Sequence, residues 1–228
     1  MRKNSFFVLA LFVVSSLFAQ DVKFGVKAGV NFAGMSDVEL SVLGVSQTAL
    51  QNDGMSIGYH IGIFTNISFS DFIGFQPELL FSMQGGKHTL NRLVIGIIEI
   101  DGIPYLDAKV NYQFGYLSLP LLLEIKPVAN LGILFGPQVG YNVIRKATVS
   151  ADVYKETISG SDFENDFFEL NKIDVGAAFG LQYMITENLQ IGARYYHGLT
   201  DGFKSDAGLL NLKGLKNNVF QVSMGFVF

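Results

Sequence analysis

The apolar residues of this chain alternate with polar or small ones along most of its length. From Phe220 to the end, Phe220, Val222, Met224, Phe226 and Phe228 occupy one parity, and Gln221, Ser223 and Gly225 the other. Lys23 to Ala33 repeats the pattern, with Phe24, Val26, Ala28, Val30 and Phe32 set against Lys27, Gly29 and Asn31. A period of two puts successive side chains on opposite faces of a strand, whereas a helical period would scramble them. Six further segments fit: Ile57 to Ile67, Ile73 to Met83, Leu117 to Ile125, Leu131 to Val143, Ile173 to Ile185 and Leu189 to Leu199. Each is close to the roughly 9–11 residues that a tilted strand needs to cross a bilayer.

Glycine falls mainly on the polar parity, as at Gly58, Gly62, Gly74, Gly132, Gly136, Gly176, Gly180 and Gly192. A soluble sandwich would turn its bulky face inward. Here the face carrying glycine is the one a small barrel must clear to close. The connections alternate as well. Ser68–Phe72, Pro127–Asn130 and Thr186–Asn188 are short, while the stretches near 34–55, 84–113, 145–172 and 200–216 are long. Short turns on one side and long loops on the other suit an outer-membrane barrel. The expected fold is therefore all-β: an eight-stranded antiparallel up-and-down transmembrane barrel, with short periplasmic turns and four long extracellular loops. Pro77, Pro120 and Pro137 lie inside strands and remove ladder donors, so bulges or local loss of pairing are expected there. Leu93 to Ile100, before Asp101-Gly102, admits three placements. It could extend a hairpin above the membrane, add a fifth membrane hairpin, or form a partner-binding patch over 93–105.

Composition agrees with this pattern. The 228 residues are 49% hydrophobic and only 16% charged, with 25 glycines, which excludes intrinsic disorder. The longest apolar run, Phe6 to Phe18, is too short to span a membrane as a helix and follows Arg2 and Lys3. Residues 1–19 read as a secretory signal peptide and 20–228 as the barrel domain. Losing the leader leaves 14 basic against 20 acidic side chains. Acidity without a basic stripe argues against nucleic-acid binding. Cysteine is absent, so neither a lipoprotein anchor nor disulfides are available. Tryptophan is absent too, leaving Tyr59, Tyr141, Tyr183 and Tyr195 with Phe24, Phe75, Phe226 and Phe228 to form the interfacial girdles.

The segment Tyr116-Leu117-Ser118-Leu119-Pro120-Leu121-Leu122-Leu123 resembles the Y-L-x-I-P-L-L-L strand of PorT-like or "porin family" outer-membrane barrels. Gly136-Pro137-Gln138-Val139-Gly140-Tyr141 is similar to their G-P-x-x-G-Y strand, and Tyr195 to Thr200 to their Y-x-x-G-L-T segment. That family shares its architecture with small OmpA/OmpX-type barrels. The resemblance implies an outer-membrane location in a Gram-negative cell, contact with lipids and lipopolysaccharide, and assembly by the barrel-insertion machinery. It also implies that Phe226 and Phe228 serve as the C-terminal assembly signal. Some members are linked to secretion or gliding machinery, so an envelope partner is a further expectation.

Six ionisable side chains take lumen positions: Lys27, Glu78, Glu124, Lys126, Asp174 and Arg194. Three of each sign inside a barrel too narrow for a wide channel should pair, because a lone buried charge is costly. Depth along the strands suggests Glu78–Arg194 as a central pair with Lys27–Glu124 below it. His60 is expected to line the lumen, and His197 to be interfacial beside Tyr195 and Tyr196. No serine lies two residues from His197, so a hydrolytic set on the outer face is incomplete. Asp162, Glu164, Asp166 and Glu169 alternate with phenylalanines without an EF-hand pattern, and Gly85-Gly86-Lys87-His88 is not a phosphate loop. No catalytic residue, metal site or cofactor is expected. The leading role is structural or interactive, displaying loops and docking partners. A narrow pore is the alternative, and a lipid-modifying enzyme the third.

Overall fold

The computed structural model describes residues 21–42, 45–90, 109–151, 154–159, 171–202 and 210–228. The leader, the 93–105 segment and the acidic run from Asp162 to Glu169 lie outside the described residues. Eleven strands follow one another: β1 (Asp21–Met35), β2 (Val38–Val42), β3 (Val45–Ser68), β4 (Ile73–Leu90), β5 (Lys109–Val128), β6 (Leu131–Ala151), β7 (Tyr154–Ser159), β8 (Ile173–Met184), β9 (Leu189–Gly198), β10 (Leu210–Gly214) and β11 (Asn217–Val227).

β1 pairs antiparallel with β3 on one side and β11 on the other. The circuit β1–β3–β4–β5–β6–β8–β9–β11 therefore closes on itself. These eight strands are the eight alternating segments of the sequence. Closure satisfies the backbone without an edge, which is what allows a sheet to sit in lipid. The parity also divides as expected. Phe24, Ile61, Leu117, Phe179, Val222 and Met224 are exposed on the outer face, while Lys27, His60, Glu78 and Gln221 are buried in the lumen. Tyr59, Tyr141 and Tyr195 lie at the loop end of the apolar band; Tyr183, Phe24 and Phe226 lie at the turn end.

Two of the turns use the same device. Ser70 Oγ accepts from the backbone N–H of Phe72 and Ile73, at 3.3 and 3.1 Å. Thr186 Oγ1 accepts from those of Asn188 and Leu189, at 3.3 and 3.0 Å. Each hydroxyl satisfies donors that a tight reversal would orphan.

The long connections are shorter than the sequence suggests, because the strands continue beyond the apolar band. β4 runs to Leu90, β5 starts at Lys109 and β6 reaches Ala151. With β2, β7 and β10 they build a wall of order β10–β2–β3–β4–β5–β6–β7 above one side of the barrel. Its outward positions include Lys87, Lys109, Gln113 and Lys146. In water both faces of a strand can be polar, so the contrast that marks a membrane strand disappears there. At the opposite corner, Gly214 and Leu215 turn the chain from β10 into β11, both with positive φ. Leu215 holds that uncommon conformation with its side chain buried among Met35, Val38 and Tyr116.

Pro77, Pro120 and Pro137 interrupt pairing without causing bulges. The β4–β5 ladder resumes at Leu80–Ser118 in the same register after Pro77–Leu121, and the β5–β6 ladder resumes at Leu123–Phe135 after Pro120–Gln138. The register shifts fall at Gly115/Tyr116, at Ile125/Val128 around Pro127, at Val38/Glu39, and on β3 near Asn52 and Met55.

Candidate functional site

The lumen is the natural place to look for chemistry, and it is packed. Two of its glycines show why the parity is needed. A Cβ on Gly25 would collide with the ring of Phe64, and one on Gly29 with the imidazole of His60. Each of these two glycines leaves room for a large lumen side chain on β3.

At mid-barrel, Glu78 gathers most of the charge. Arg194 donates from both terminal nitrogens, Nη1 to Oε2 at 2.8 Å and Nη2 to Oε1 at 2.6 Å. Lys27 Nζ donates to Oε1 at 2.7 Å, and Gln76 Nε2 to the same oxygen at 2.6 Å. A bidentate guanidinium with further donors is the geometry in which a buried carboxylate is best compensated. Lys27 Nζ also lies 5.2 Å from the Phe64 ring centroid, a cation–π placement.

Lys27 therefore does not pair with Glu124. Lys27 stands opposite Gly62, which stands opposite Leu80, and this brings it beside Glu78. Glu124 sits nearer the turns, opposite Gly74 and Leu134. It accepts from Gln182 Nε2 at 2.6 Å and faces Lys126 Nζ at 3.4 Å, while Lys126 also donates to Ser68 Oγ at 3.1 Å. Among the described residues Asp174 joins no ion pair either. It lies toward the loop end, opposite Gly140, where Asn217 Nδ2 donates to its carboxylate at 2.7 Å and to Tyr116 OH at 3.1 Å. The six ionisable groups form a triad, a pair and one carboxylate served by an amide, rather than one network.

Asn31 is a hub that charge counting misses. Its Nδ2 donates to Ser82 Oγ and to the Tyr59 and Met83 carbonyls at 2.8–3.0 Å. Its Oδ1 faces His60 Nδ1 at 2.7 Å and accepts from Gln221 Nε2 at 3.1 Å. The acceptor fixes the His60 tautomer with the proton on Nδ1. The signal was present in the alternation, since Asn31, His60, Ser82 and Gln221 share the inner parity. Nothing in the sequence says which of them will meet.

Apolar clusters interleave with these polar groups in the lumen. Ala33, Leu122, Tyr196 and Val219 each sit one lumen position beyond Asn31, Glu124, Arg194 and Gln221 on their own strands, and pack with Leu134 and Ala178. Further out, Met35, Val38, Val110, Tyr112, Phe114 and Tyr116 form a second cluster with Ala147 and Leu215. A cavity between Lys27, His60, Gln190, Arg194 and Gln221 measures about 10 Å³, room for about one water. His88 lies at the top of this packing. Its Nε2 donates to the Ser36 carbonyl at 3.0 Å and its ring meets Tyr112 edge-on at 5.5 Å. Burial there lowers its pKa against the opposing pull of Ser36 and Asp37.

His197 is exposed on the outer face, as expected. Its Nδ1 bonds Asn218 Oδ1 at 2.7 Å, and Tyr195 OH donates to the same oxygen at 3.0 Å. The nearest hydroxyl along the chain beyond it, Thr200 Oγ1, is engaged with Val175. Phe226 and Phe228 lie on the outer face with ring centroids 5.6 Å apart. Among the described residues, no group of three or more His, Asp and Glu side chains is placed to hold a metal ion.

The closed circuit and outward apolar face are matched by a comparison of sequence. The family model described as outer membrane protein beta-barrel domain matches residues 18–204. The chain belongs to this family. A protein of this family resides in a Gram-negative outer membrane among its lipids. No curated protein sequence matches it. Among solved structures it is similar to OprG of Pseudomonas aeruginosa, at 14% identity and TM-score 0.46 over 92% of this chain and 97% of that one. It is also similar to Neisserial surface protein A, at 12% identity and TM-score 0.44 over 91% and 99%. A third is Ail of Yersinia pestis, solved with the heparin analogue sucrose octasulfate, at 13% identity and TM-score 0.42 over 91% and 99%.

Proposed function

We propose that this protein is a non-enzymatic structural and docking protein of the outer membrane, in which the barrel is the anchor and the extracellular wall is the working surface. The observation that carries this reading is the wall itself. Four barrel strands extend well past the apolar band and recruit β2, β7 and β10, whereas β8, β9 and β11 end near it. A barrel serving only as a membrane plug has no need of such an extension. The packed lumen supports the same reading, since two apolar clusters sit among its buried polar groups.

The PorT-like resemblance points the docking role toward envelope or secretion machinery. Export through a cleaved leader, and insertion guided by Phe226 and Phe228, complete the proposed route. The experiment compares surface cross-linking on intact cells between the full chain and a variant trimmed of the wall beyond Gly85 and Gln113. The expected result is a set of cross-linked species that the trimmed barrel loses while still inserting. Identical cross-links from both would overturn the reading.

A further inference from the structure

At the loop end of the apolar band, the outer face of the barrel is not smooth. β3 shifts register between Asn52 and Gly54 and again between Met55 and His60, while Gly54 and Met55 stay paired with Lys87 and Gly86 of β4. Beside this segment lies a groove of about 380 Å³, within the range of small-ligand sites. Phe32, Phe220, Tyr195 and Met55 form its walls, all outward-facing and exposed. Phe32 and Phe220 lie side by side with ring centroids 6.4 Å apart. Gly34 is part of the lining, and a Cβ there would meet only Met55 Cγ, at 3.7 Å. The groove exists because that position carries no side chain.

Two carboxamides mark the polar end. Asn218 accepts from Tyr195 and His197 on its oxygen. Asn52, which also lines the groove, accepts from the Gly54 N–H on its oxygen at 3.0 Å. The groove opens on the same face as Val26, Val30 and Val222, at the outermost lipid-facing turn of β1. Its surroundings are therefore hydrocarbon below and head groups above.

The geometry points to a binding site for one acyl chain of an outer-leaflet lipid. The chain lies against Phe32, Phe220 and Met55, and its ester or amide linkage sits at the height of Asn52 and Asn218. Aromatic walls with a carboxamide end match a long apolar group that terminates in a hydrogen-bond acceptor, and the membrane supplies that group at this depth. The inference rests on the outer-membrane placement and adds a defined lipid site to it.

The test uses the full mature chain, purified in detergent, mixed with dioleoyl phosphatidylglycerol and examined by native mass spectrometry. The expected result is one lipid retained under activation that strips the remainder. Gly34→Leu fills the groove from β1, and Met55→Phe crowds it from β3 should the first variant fail to fold. Either should lose the retained lipid. Ala177→Leu, elsewhere on the lipid-facing belt, should keep it. Absence of a retained lipid, or equal retention in the groove-filling variants and the parent, overturns the site. Failure of the parent to insert into vesicles would instead overturn the membrane placement, and the site with it.

Discussion

At the scale of single residues, Glu78 decides more than any other side chain described. Among the described residues its carboxylate is the only acidic group bonded to Lys27 and Arg194, and all three are buried. Removing one partner of a buried ion pair leaves an uncompensated charge, which costs about 3–5 kcal/mol. Glu78→Gln should therefore lower stability by about 3–5 kcal/mol in urea unfolding from lipid vesicles. Glu124→Gln should cost less, because Lys126 is 3.4 Å away, partly exposed, and held by Ser68 as well. Equal losses in the two variants would show that the triad has no special weight. The inner parity of Lys27, Glu78 and Arg194 was legible in the sequence. The choice of Glu78 over Glu124 as the partner of Lys27 was not, because it follows from a register set across three strands.

At the scale of elements, strict alternation located every barrel strand, since each has lipid on one face and packed side chains on the other. The same rule lost sight of the wall, where Lys87, Lys109, Gln113 and Lys146 face water and no longer contrast with their neighbours. The prolines show a similar division. Pro77 and Pro120 predictably lack ladder donors, but the flanking register is held by pairing on both sides, so the strands stay aligned instead of bulging. The last strand gives the cleanest test of the faces. Val222 points to lipid opposite Val30, and Ser223 points inward opposite Gly29 and Gly192. Val222→Arg at mid-depth should cost about 2–4 kcal/mol. Ser223→Arg carries no such lipid penalty, though it crowds the lumen. The check is the yield of vesicle-inserted barrel measured by heat-modifiable migration on gels, and equal behaviour of the two variants would mean the faces are reversed.

At the scale of the whole molecule, closure gives stability without disulfides: β1 is bonded along both edges, and the end of β11 is tied down at Asn188 and Phe24. The lumen then offers a route from one side of the membrane to the other only if its layers part. The ionic triad, the Leu122–Tyr196 cluster and the Met35–Tyr116 cluster occupy the lumen, with room for about one water beside Arg194. The sequence could place the charges in the lumen but could not show these groupings, because each combines residues from three to six strands. On the proposed reading, a barrel filled in this way is an anchor whose working surface is outside. Planar-bilayer recording of the purified full chain tests that claim most directly. The prediction is a quiet bilayer after confirmed insertion, across the voltages the membrane tolerates. Reproducible unitary conductance steps that change on Glu78→Gln substitution would contradict it, and would make the lumen rather than the wall the functional part of the protein.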